Sequence, residues 1–311
     1  MPILSELLWR TKTYNVALLF NSTSPFSATV WRLGITGLEL FEDRVVDTLL
    51  TASDIRIYFY DVTKVGEVES LDPAYVLQAH TEFDGSSAIT YDSSNYVLYM
   101  VNRSGIYAWD PGWIVVTSEC RSVGAGARIE LVDGRIVVLP GSPADYVCVC
   151  DIASGTASNV PLPQRYRLYQ YTSSAVVADS VVFTALDESE RVSLLMFNTT
   201  SMQVGQLGSV PSYCVAGLAT NGLRAYAVLC GLWSSATNFD NVKGIGVWVC
   251  DLRTGLSRVV VIANSSHVKL LGYSDRVEVY DRVLLVVDED RIHTIDLKNI
   301  PLIRDVPLYA P

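Results

Sequence analysis

Histidines are the first side chains to inspect for catalysis or metal binding, and this chain of 311 residues has three of them. They lie far apart, at positions 80, 267 and 293, and His293 falls within a run predicted as a strand. A zinc site needs three or four ligands at characteristic spacings. The sequence contains no Gly-x-Ser-x-Gly elbow and no phosphate-cradling glycine loop. We therefore predict no metal, no cofactor and no catalytic residue. This prediction argues against an enzyme but does not exclude one.

Two clusters of acids, Asp187-Glu188-Ser189-Glu190 and Asp288-Glu289-Asp290, have the oxygen ligands that calcium prefers. Neither cluster has the spacing of an EF-hand loop. Each is predicted to lie between two strands, where charged residues are typical of solvated hairpin tips. The hairpin-tip interpretation is the favoured one.

Six cysteines provide the other candidates for redox or metal chemistry. None of them forms a paired Cys-x-x-Cys motif, so a zinc site is the least favoured interpretation. Small buried hydrophobic residues are the favoured one. A disulfide between Cys230 and Cys250, on neighbouring strands, is the alternative. The six positions are 120, 148, 150, 214, 230 and 250.

Charge and hydropathy restrict the class of partner. A net charge of −10 argues against nucleic acid, because phosphate binding depends on an excess of Lys and Arg. A mean hydropathy of +0.27 suggests that a partner covers part of the surface. The sequence shows no apolar run long enough for a membrane span. No signal peptide is recognised, so the compartment is not assigned.

Short apolar runs separated by Gly, Asp, Asn, Ser and Pro fill the chain, which predicts an all-β fold. Several runs, such as Ile136–Leu139 and Leu284–Val287, are apolar throughout, as expected of strands covered on both faces. An Asp or Asn follows one strand in each repeat, 41 to 53 residues apart, which is the period of four-stranded blades. These turn residues are Asp61, Asp110, Asp151, Asn198, Asp251 and Asp296.

The best-formed unit has predicted strands at Arg128–Val132, Arg135–Leu139, Tyr146–Asp151 and Ala157–Leu162. Later units repeat this pattern in three further sets: Val181–Ala185, Ser193–Asn198 and Gln203–Leu207; Arg224–Cys230, Gly246–Cys250 and Ser257–Ile262; and Arg282–Val287, Arg291–Asp296 and Ile303–Leu308. A first unit fits weakly, with strands at Leu7–Lys12, Asn15–Phe20, Ala28–Leu33 and Leu38–Glu42. The stretch from Leu33 to Asp61 is too short for another full unit in this register.

The phrases Asp-Gly-Arg-Ile-Val-Val-Leu-Pro at 133–140 and Val-Trp-Val-Cys-Asp-Leu-Arg-Thr-Gly at 247–255 resemble those of generic β-propellers of the PQQ, YVTN and kelch type. The resemblance covers roughly residues 90–300 and implies an architecture without a specific family. We therefore expect residues 1–311 to form a single domain, one closed β-propeller of four-stranded antiparallel blades. Seven blades are preferred and six are the alternative.

In a propeller, connections between blades share one face with the connections between second and third strands, and that face is the usual binding surface. Three connections on it are long: about 72–85, 163–171 and 232–243. Their aromatic and arginine side chains are types enriched in interface hot spots. The alternative is that the aromatics pin the loops to the scaffold. The candidate binding residues are Tyr75, His80, Phe83, Arg165, Tyr166, Arg167, Tyr169, Trp233, Phe239 and Asp240.

These features favour a non-enzymatic protein-interaction or structural module, for example a component of a virion or of a surface complex. Its partner is expected to be another protein or a second copy of the chain. The alternative is a propeller that binds or hydrolyses carbohydrate, with stacking aromatics and channel carboxylates at a separation of roughly 5–9 Å.

Overall fold

The computed structural model describes most of residues 86–262, with gaps at 93, 96, 110–111, 213–214, 230, 233–236 and 239–244. Outside that range it describes 13–20, 29–36, 52–61, 75–83, 277–280, 283–287, 291–297 and 303–307. Within these residues, six four-stranded sheets and one two-stranded hairpin account for all the strands, so the all-β prediction is confirmed. None of the described residues belongs to a helix with the length and apolar character needed to cross a bilayer.

The first sheet departs most from the expected pattern. It contains β1 (Thr13–Phe20), β2 (Thr29–Thr36), β3 (Ala52–Asp61) and β4 (Tyr75–Phe83), in the order β2-β1-β3-β4. Here β1 and β3 are parallel, whereas the other pairings are antiparallel. Strands β3 and β4 complete the sheet that β1 and β2 begin, which explains why the sequence left too few residues before Asp61 for a separate unit.

Of the next three sheets, the third and fourth match predicted units, the fourth with one additional first strand, whereas the second was not predicted as a unit. The second sheet comprises β5 (Ala88–Asp92), β6 (Val97–Asn102), β7 (Gly105–Trp109) and β8 (Trp113–Thr117). The third comprises β9 (Arg128–Val132), β10 (Arg135–Leu139), β11 (Tyr146–Asp151) and β12 (Ala157–Pro161). The fourth comprises β13 (Ser174–Val177), β14 (Ser180–Leu186), β15 (Val192–Asn198) and β16 (Gln203–Ser209). Neighbours in sequence are neighbours in each sheet, and all pairings are antiparallel.

The last two sheets repeat the same order. The fifth contains β17 (Val215–Thr220), β18 (Arg224–Leu229), β21 (Ile245–Asp251) and β22 (Ser257–Ile262). Between its second and third strands the chain forms a small hairpin, β19 (Gly231–Leu232) with β20 (Thr237–Asn238). The sixth contains β23 (Val277–Tyr280), β24 (Val283–Val287), β25 (Arg291–Asp296) and β26 (Ile303–Pro307).

The sheets stand side by side with their first strands in contact. Strand β5 contacts β9, β9 contacts β13, β13 contacts β17, and β17 contacts β23. Apolar side chains fill the space between successive sheets: Phe183 and Phe197 pack against Leu139 of the third sheet, and Trp248 packs among residues of the fourth and fifth. Burying each such aromatic contributes roughly 1.5–3 kcal/mol. This arrangement is that of propeller blades.

Antiparallel order gives the molecule two distinct ends. We call one end the link face, because it carries the connections between sheets and those between second and third strands. Its described segments are 103–104, 118–127, 140–145, 162–173, 187–191 and 210–212. We call the other end the turn face, where short turns join first to second and third to fourth strands. Its described turns include 133–134, 151–156, 178–179, 198–202, 221–223 and 251–256.

A disulfide joins Cys120, which follows β8, to Cys148 on β11, and so links the second and third sheets. The alternative disulfide between Cys230 and Cys250 is wrong, because Cys250 is a free, buried thiol. Strand register explains this. Leu229, the residue before Cys230, pairs with Gly246, whereas Cys250 pairs with Ala225 toward the opposite end of the strands.

Candidate interaction face

The connection from the third to the fourth sheet is the best-defined long segment of the link face. In this loop, residues 163–171, the side chains of Tyr166, Leu168 and Tyr169 are 5%, 0% and 5% exposed. Tyr166 and Leu168 pack in the core between the third and fourth sheets, and Tyr169 packs in the core between the fourth and fifth. The loop is therefore anchored by three apolar contacts that reach two different cores.

Backbone hydrogen bonds hold the same loop on both sides. On the side of the third sheet, the amide of Leu168 donates to the carbonyl oxygen of Ala144 at 2.7 Å. On the side of the fourth sheet, Arg167 and Leu186 exchange two hydrogen bonds of 2.9 Å each. At its end, the amide of Tyr169 donates to Oγ1 of Thr172 at 2.9 Å. These bonds fix the backbone, so the exposed side chains project from a defined position.

The two arginines of the loop project into solvent between the buried residues. Nη2 of Arg165 donates to Oε1 of Gln206 on β16 at 2.9 Å, and its guanidinium lies 5.1 Å from the ring centre of Tyr166. Arg167 faces Glu190, with 3.4 Å between Nη2 and Oε1 and side-chain exposures of 53% and 75%. An ion pair this exposed contributes little to stability, so a partner's carboxylate can compete for either arginine.

The acidic segment 187–190 forms the neighbouring hairpin tip. Burial alone would raise the pKa of Asp187, but the amides of Arg191 and Ser189 and the Arg191 guanidinium outweigh it and lower the pKa. Glu188, Ser189 and Glu190 are exposed, as expected of a solvated tip. Among the residues that the structure describes, no group of three or more His, Cys, Asp or Glu side chains is arranged to hold a metal ion.

Polar side chains gather where the loop reaches the first strands of the sheets. The Tyr169 hydroxyl lies 3.5 Å from Oγ1 of Thr184, which also accepts a hydrogen bond from the amide of Ser173 at 2.9 Å. Nearby, Oγ of Ser174 donates to Oε1 of Glu130 at 2.7 Å and ties β13 to β9. Burial raises the pKa of Tyr169 above the ordinary value of a tyrosine, so this side chain is a neutral structural tie.

The other predicted binding residues are placed less completely. The expected loop at 72–85 is wrong for most of its length, because Tyr75–Phe83 forms β4, with Tyr75 paired to Phe59 and His80 to Asp54. The β-branched and aromatic residues of this segment favour a strand. The 232–243 segment includes β20 of the small hairpin. The side chains of Tyr75, His80, Phe83, Trp233, Phe239 and Asp240 lie outside the described residues.

Sequence reasoning missed a feature of the turns that join third to fourth strands. The turns beginning at Asp151, Asn198 and Asp251 share the same bond, in which the amide of the fifth residue donates to the first carbonyl at 2.8, 2.9 and 2.8 Å. In two of them the fifth residue is Gly155 or Gly255, with φ of 68° and 72°. In the third it is Met202, with φ of 55°. A left-handed conformation costs a residue with a side chain roughly 1–2 kcal/mol.

Met202 lies beside a groove of about 320 Å³ between the outer strands of the third and fourth sheets. Val160, Leu162 and Val204 form its apolar walls, and Pro161, Pro163 and Gln203 line it as well. In the other two turns, the glycine packs tightly against the outer strand of the preceding sheet. A Cβ on Gly155, for example, would lie 3.3 Å from the backbone oxygen of Val116. Aligning the three turn sequences would have shown Met202 standing where the other turns have glycine.

Comparisons with other proteins support the architecture and nothing finer. No protein-family model matches the chain, and no curated protein matches it. A chain in the crystal structure of a nidogen/laminin complex aligns with a TM-score of 0.50 and 12% identity, over 72% of this chain and 80% of that one. A luciferin-regenerating enzyme aligns with a TM-score of 0.47, 13% identity and coverages of 72% and 76%. The structure of YjhT aligns with a TM-score of 0.46 and 12% identity, over 65% of this chain and 71% of that one.

At 12% identity the first of these likenesses concerns the fold alone. Together with the four-stranded antiparallel sheets, it supports a propeller-like fold. The generic resemblance drawn from the sequence is therefore confirmed at the level of architecture.

Proposed function

We propose that this chain is a non-enzymatic interaction module that binds a protein partner through its link face, with Arg165 and Arg167 as principal contacts. The observation that carries the proposal is the anchored 163–171 loop. Tyr166 and Tyr169 are buried and both arginines are exposed, on a backbone tied to two sheets. Such a module would suit a larger assembly.

Anchoring matters because binding costs free energy for every side chain and loop that it must order. A loop already held in place avoids much of that cost. The planar guanidinium of arginine presents forked donors that match a carboxylate. The partner is therefore expected to offer acidic side chains to this face, although the chain as a whole carries a charge of −10.

The proposal includes a closed ring of sheets. Five successive contacts support it: β2 with β5, and then the first strands from β5 to β23. We propose that the sixth sheet packs against the first and completes a propeller of six blades, the alternative count rather than the preferred seven, with one blade for each four-stranded sheet in the described residues. Closure would fix the position of the link-face segments relative to one another.

The test uses two matched double variants. Arg165→Ala with Arg167→Ala removes the arginines of the loop, and Arg224→Ala with Arg253→Ala removes two exposed arginines of the turn face. Both variants and the wild type are used to capture partners from the cells that make the protein, with quantitative mass spectrometry. The loop variant should lose at least tenfold in recovery of a specific partner, and the turn-face variant should retain it.

Equal recovery of partners by all three proteins would contradict the proposal. So would a glycan array in which the wild type binds a defined sugar and the loop variant binds it equally well, since carbohydrate recognition would then lie elsewhere.

A further inference from the structure

We infer that the groove beside Met202 takes an extended peptide segment of the partner, with an apolar side chain in the groove and an acidic side chain on Arg165. This inference rests on the proposed function and adds the chemistry of the partner. The groove and the 163–171 loop are continuous, because Pro163 lines the groove and begins the loop.

The groove is shallow and open, and apolar side chains form part of its lining. Leu162 is 7% exposed, and Val160, Val204 and Met202 are partly buried at the edge of the core between the third and fourth sheets. A methionine adapts its shape to different apolar ligands, because its side chain is unbranched and flexible. A space of about 320 Å³ accommodates one or two side chains of a peptide and is too small for a folded domain.

Met202 distinguishes the turn that begins at Asn198 from the two turns that have glycine at the same position. Its turn has the hydrogen bonds of the turns at Asp151 and Asp251: Oδ1 of Asn198 accepts from the amides of Thr200 and Ser201 at 3.1 and 2.7 Å. Glycine would therefore fit the same turn without strain. Asp133, Ala178 and Glu190 also have positive φ, but of these four residues Met202 is the one that lines the groove, where its side chain can contact a bound peptide.

Charge complementarity indicates that the second feature of the peptide is an acidic side chain. Arg165 stands next to the groove, and its hydrogen bond to Gln206 reaches across from the loop to the outer strand of the fourth sheet. The guanidinium is exposed and is bonded there to a neutral amide, so a peptide carboxylate gains a charged partner without displacing an ion pair. An acidic residue near the apolar one in the same extended segment would therefore meet Arg165.

The first experiment selects peptides. A phage library of random linear heptapeptides is selected on the wild type, and the enriched peptides are measured by fluorescence anisotropy. We expect them to combine a Leu, Met or Phe with a nearby Asp or Glu. Met202→Gly, which keeps the turn, and Gln203→Glu, which adds a like charge at an exposed position of the groove, should each weaken binding at least tenfold. Arg224→Ala is the control and should bind as the wild type does.

The second experiment locates the bound peptide. The chain has four methionines, at positions 1, 100, 196 and 202. With ¹³C-methyl methionine labelling, the peptide should shift the Met202 signal and leave that of Met100, which is 0% exposed. The inference is overturned if no peptide is enriched, if the groove variants bind the peptides as tightly as the wild type, or if the Met202 signal does not move.

The two proposals fail separately. If Met202→Gly and Gln203→Glu capture the partner normally while the Arg165 and Arg167 double variant loses it, the groove inference is wrong and the proposed function stands. If that double variant also captures the partner normally, both are wrong.

Discussion

The Cys120–Cys148 disulfide is the residue pair with the largest expected effect on stability. It closes a loop across the second and third sheets, and both cysteines lie in the core that those sheets share. Cys150 is buried beside them, and burial with the charges of Asp151 and Glu119 raises the pKa of its thiol to about 11. At neutral pH that thiol is protonated and a poor nucleophile, so it does not exchange with the disulfide.

Replacing both Cys120 and Cys148 by serine should lower the free energy of unfolding by about 3–4 kcal/mol, from the chain entropy of the 28-residue separation. Urea denaturation of the oxidised proteins measures this loss. A thiol reductant serves as the control: it should destabilise the wild type and leave the double variant unchanged. Equal sensitivity of both proteins to the reductant would show that the disulfide does not form.

The turn aspartates are the second feature at this scale. The amide and hydroxyl of Ser154 lower the pKa of Asp151, and those of Thr254 lower the pKa of Asp251. Asn198 makes the corresponding turn without a titratable group. At these three positions, the sequence pattern of Asp or Asn after a third strand therefore has a direct physical basis in the fold.

Because the pKa values of Asp151 and Asp251 are lower in the folded state than in the unfolded chain, their ionised forms stabilise the fold. This contribution is present above the unfolded pKa of about 4 and is lost as the pH falls through the folded values. Changing both residues to asparagine should therefore flatten the fall of the urea midpoint between pH 5 and pH 3. A variant whose midpoint falls as steeply as that of the wild type would contradict this explanation.

At the scale of elements, the link-face loop depends on a close approach of two connections. Gly126 has φ of 80°, and a Cβ there would collide with the backbone oxygen of Tyr169. Gly134, in the turn between β9 and β10, has φ of 72° and open space around it. Substituting alanine at each of these two glycines therefore separates the free-energy cost of the backbone conformation from the cost of the packing collision.

Gly134→Ala should lower the free energy of unfolding by about 1 kcal/mol, from the left-handed conformation alone. Gly126→Ala should cost at least about 2 kcal/mol, because the Tyr169 segment must also move. Chemical denaturation compares the two, and Gly126→Ala should also weaken partner binding. Equal losses in the two variants would mean that the loop is not packed against this connection.

Sequence patterns predicted all four strands of the third sheet and the second to fourth strands of the next three sheets, because most of these strands are apolar runs bounded by turn residues. They did not place the first strands β13, β17 and β23 in a unit. The parallel pairing of β1 with β3 escaped prediction, since the choice between parallel and antiparallel neighbours depends on contacts distant in sequence. At the candidate site, the Arg and Tyr alternation identified the 163–171 loop. It did not show that Tyr166 and Tyr169 face the core, because burial depends on the neighbouring sheets.

At the scale of the whole molecule, the proposed closure of the ring would determine the shape. A compact chain of 311 residues has a radius of gyration of about 20 Å. Small-angle scattering of the monomer should give that value if the sixth sheet packs on the first. An open arc of sheets would give a clearly larger radius, so a value well above 20 Å would contradict closure.

The most direct test of the account is hydrogen–deuterium exchange of the protein with and without its captured partner. Amides in residues 163–171 and in the adjoining link-face segment 187–191 should exchange more slowly in the complex. The turns at 221–223 and 251–256 should exchange at unchanged rates. Protection confined to the turn face, with none in the 163–171 loop, would contradict the account.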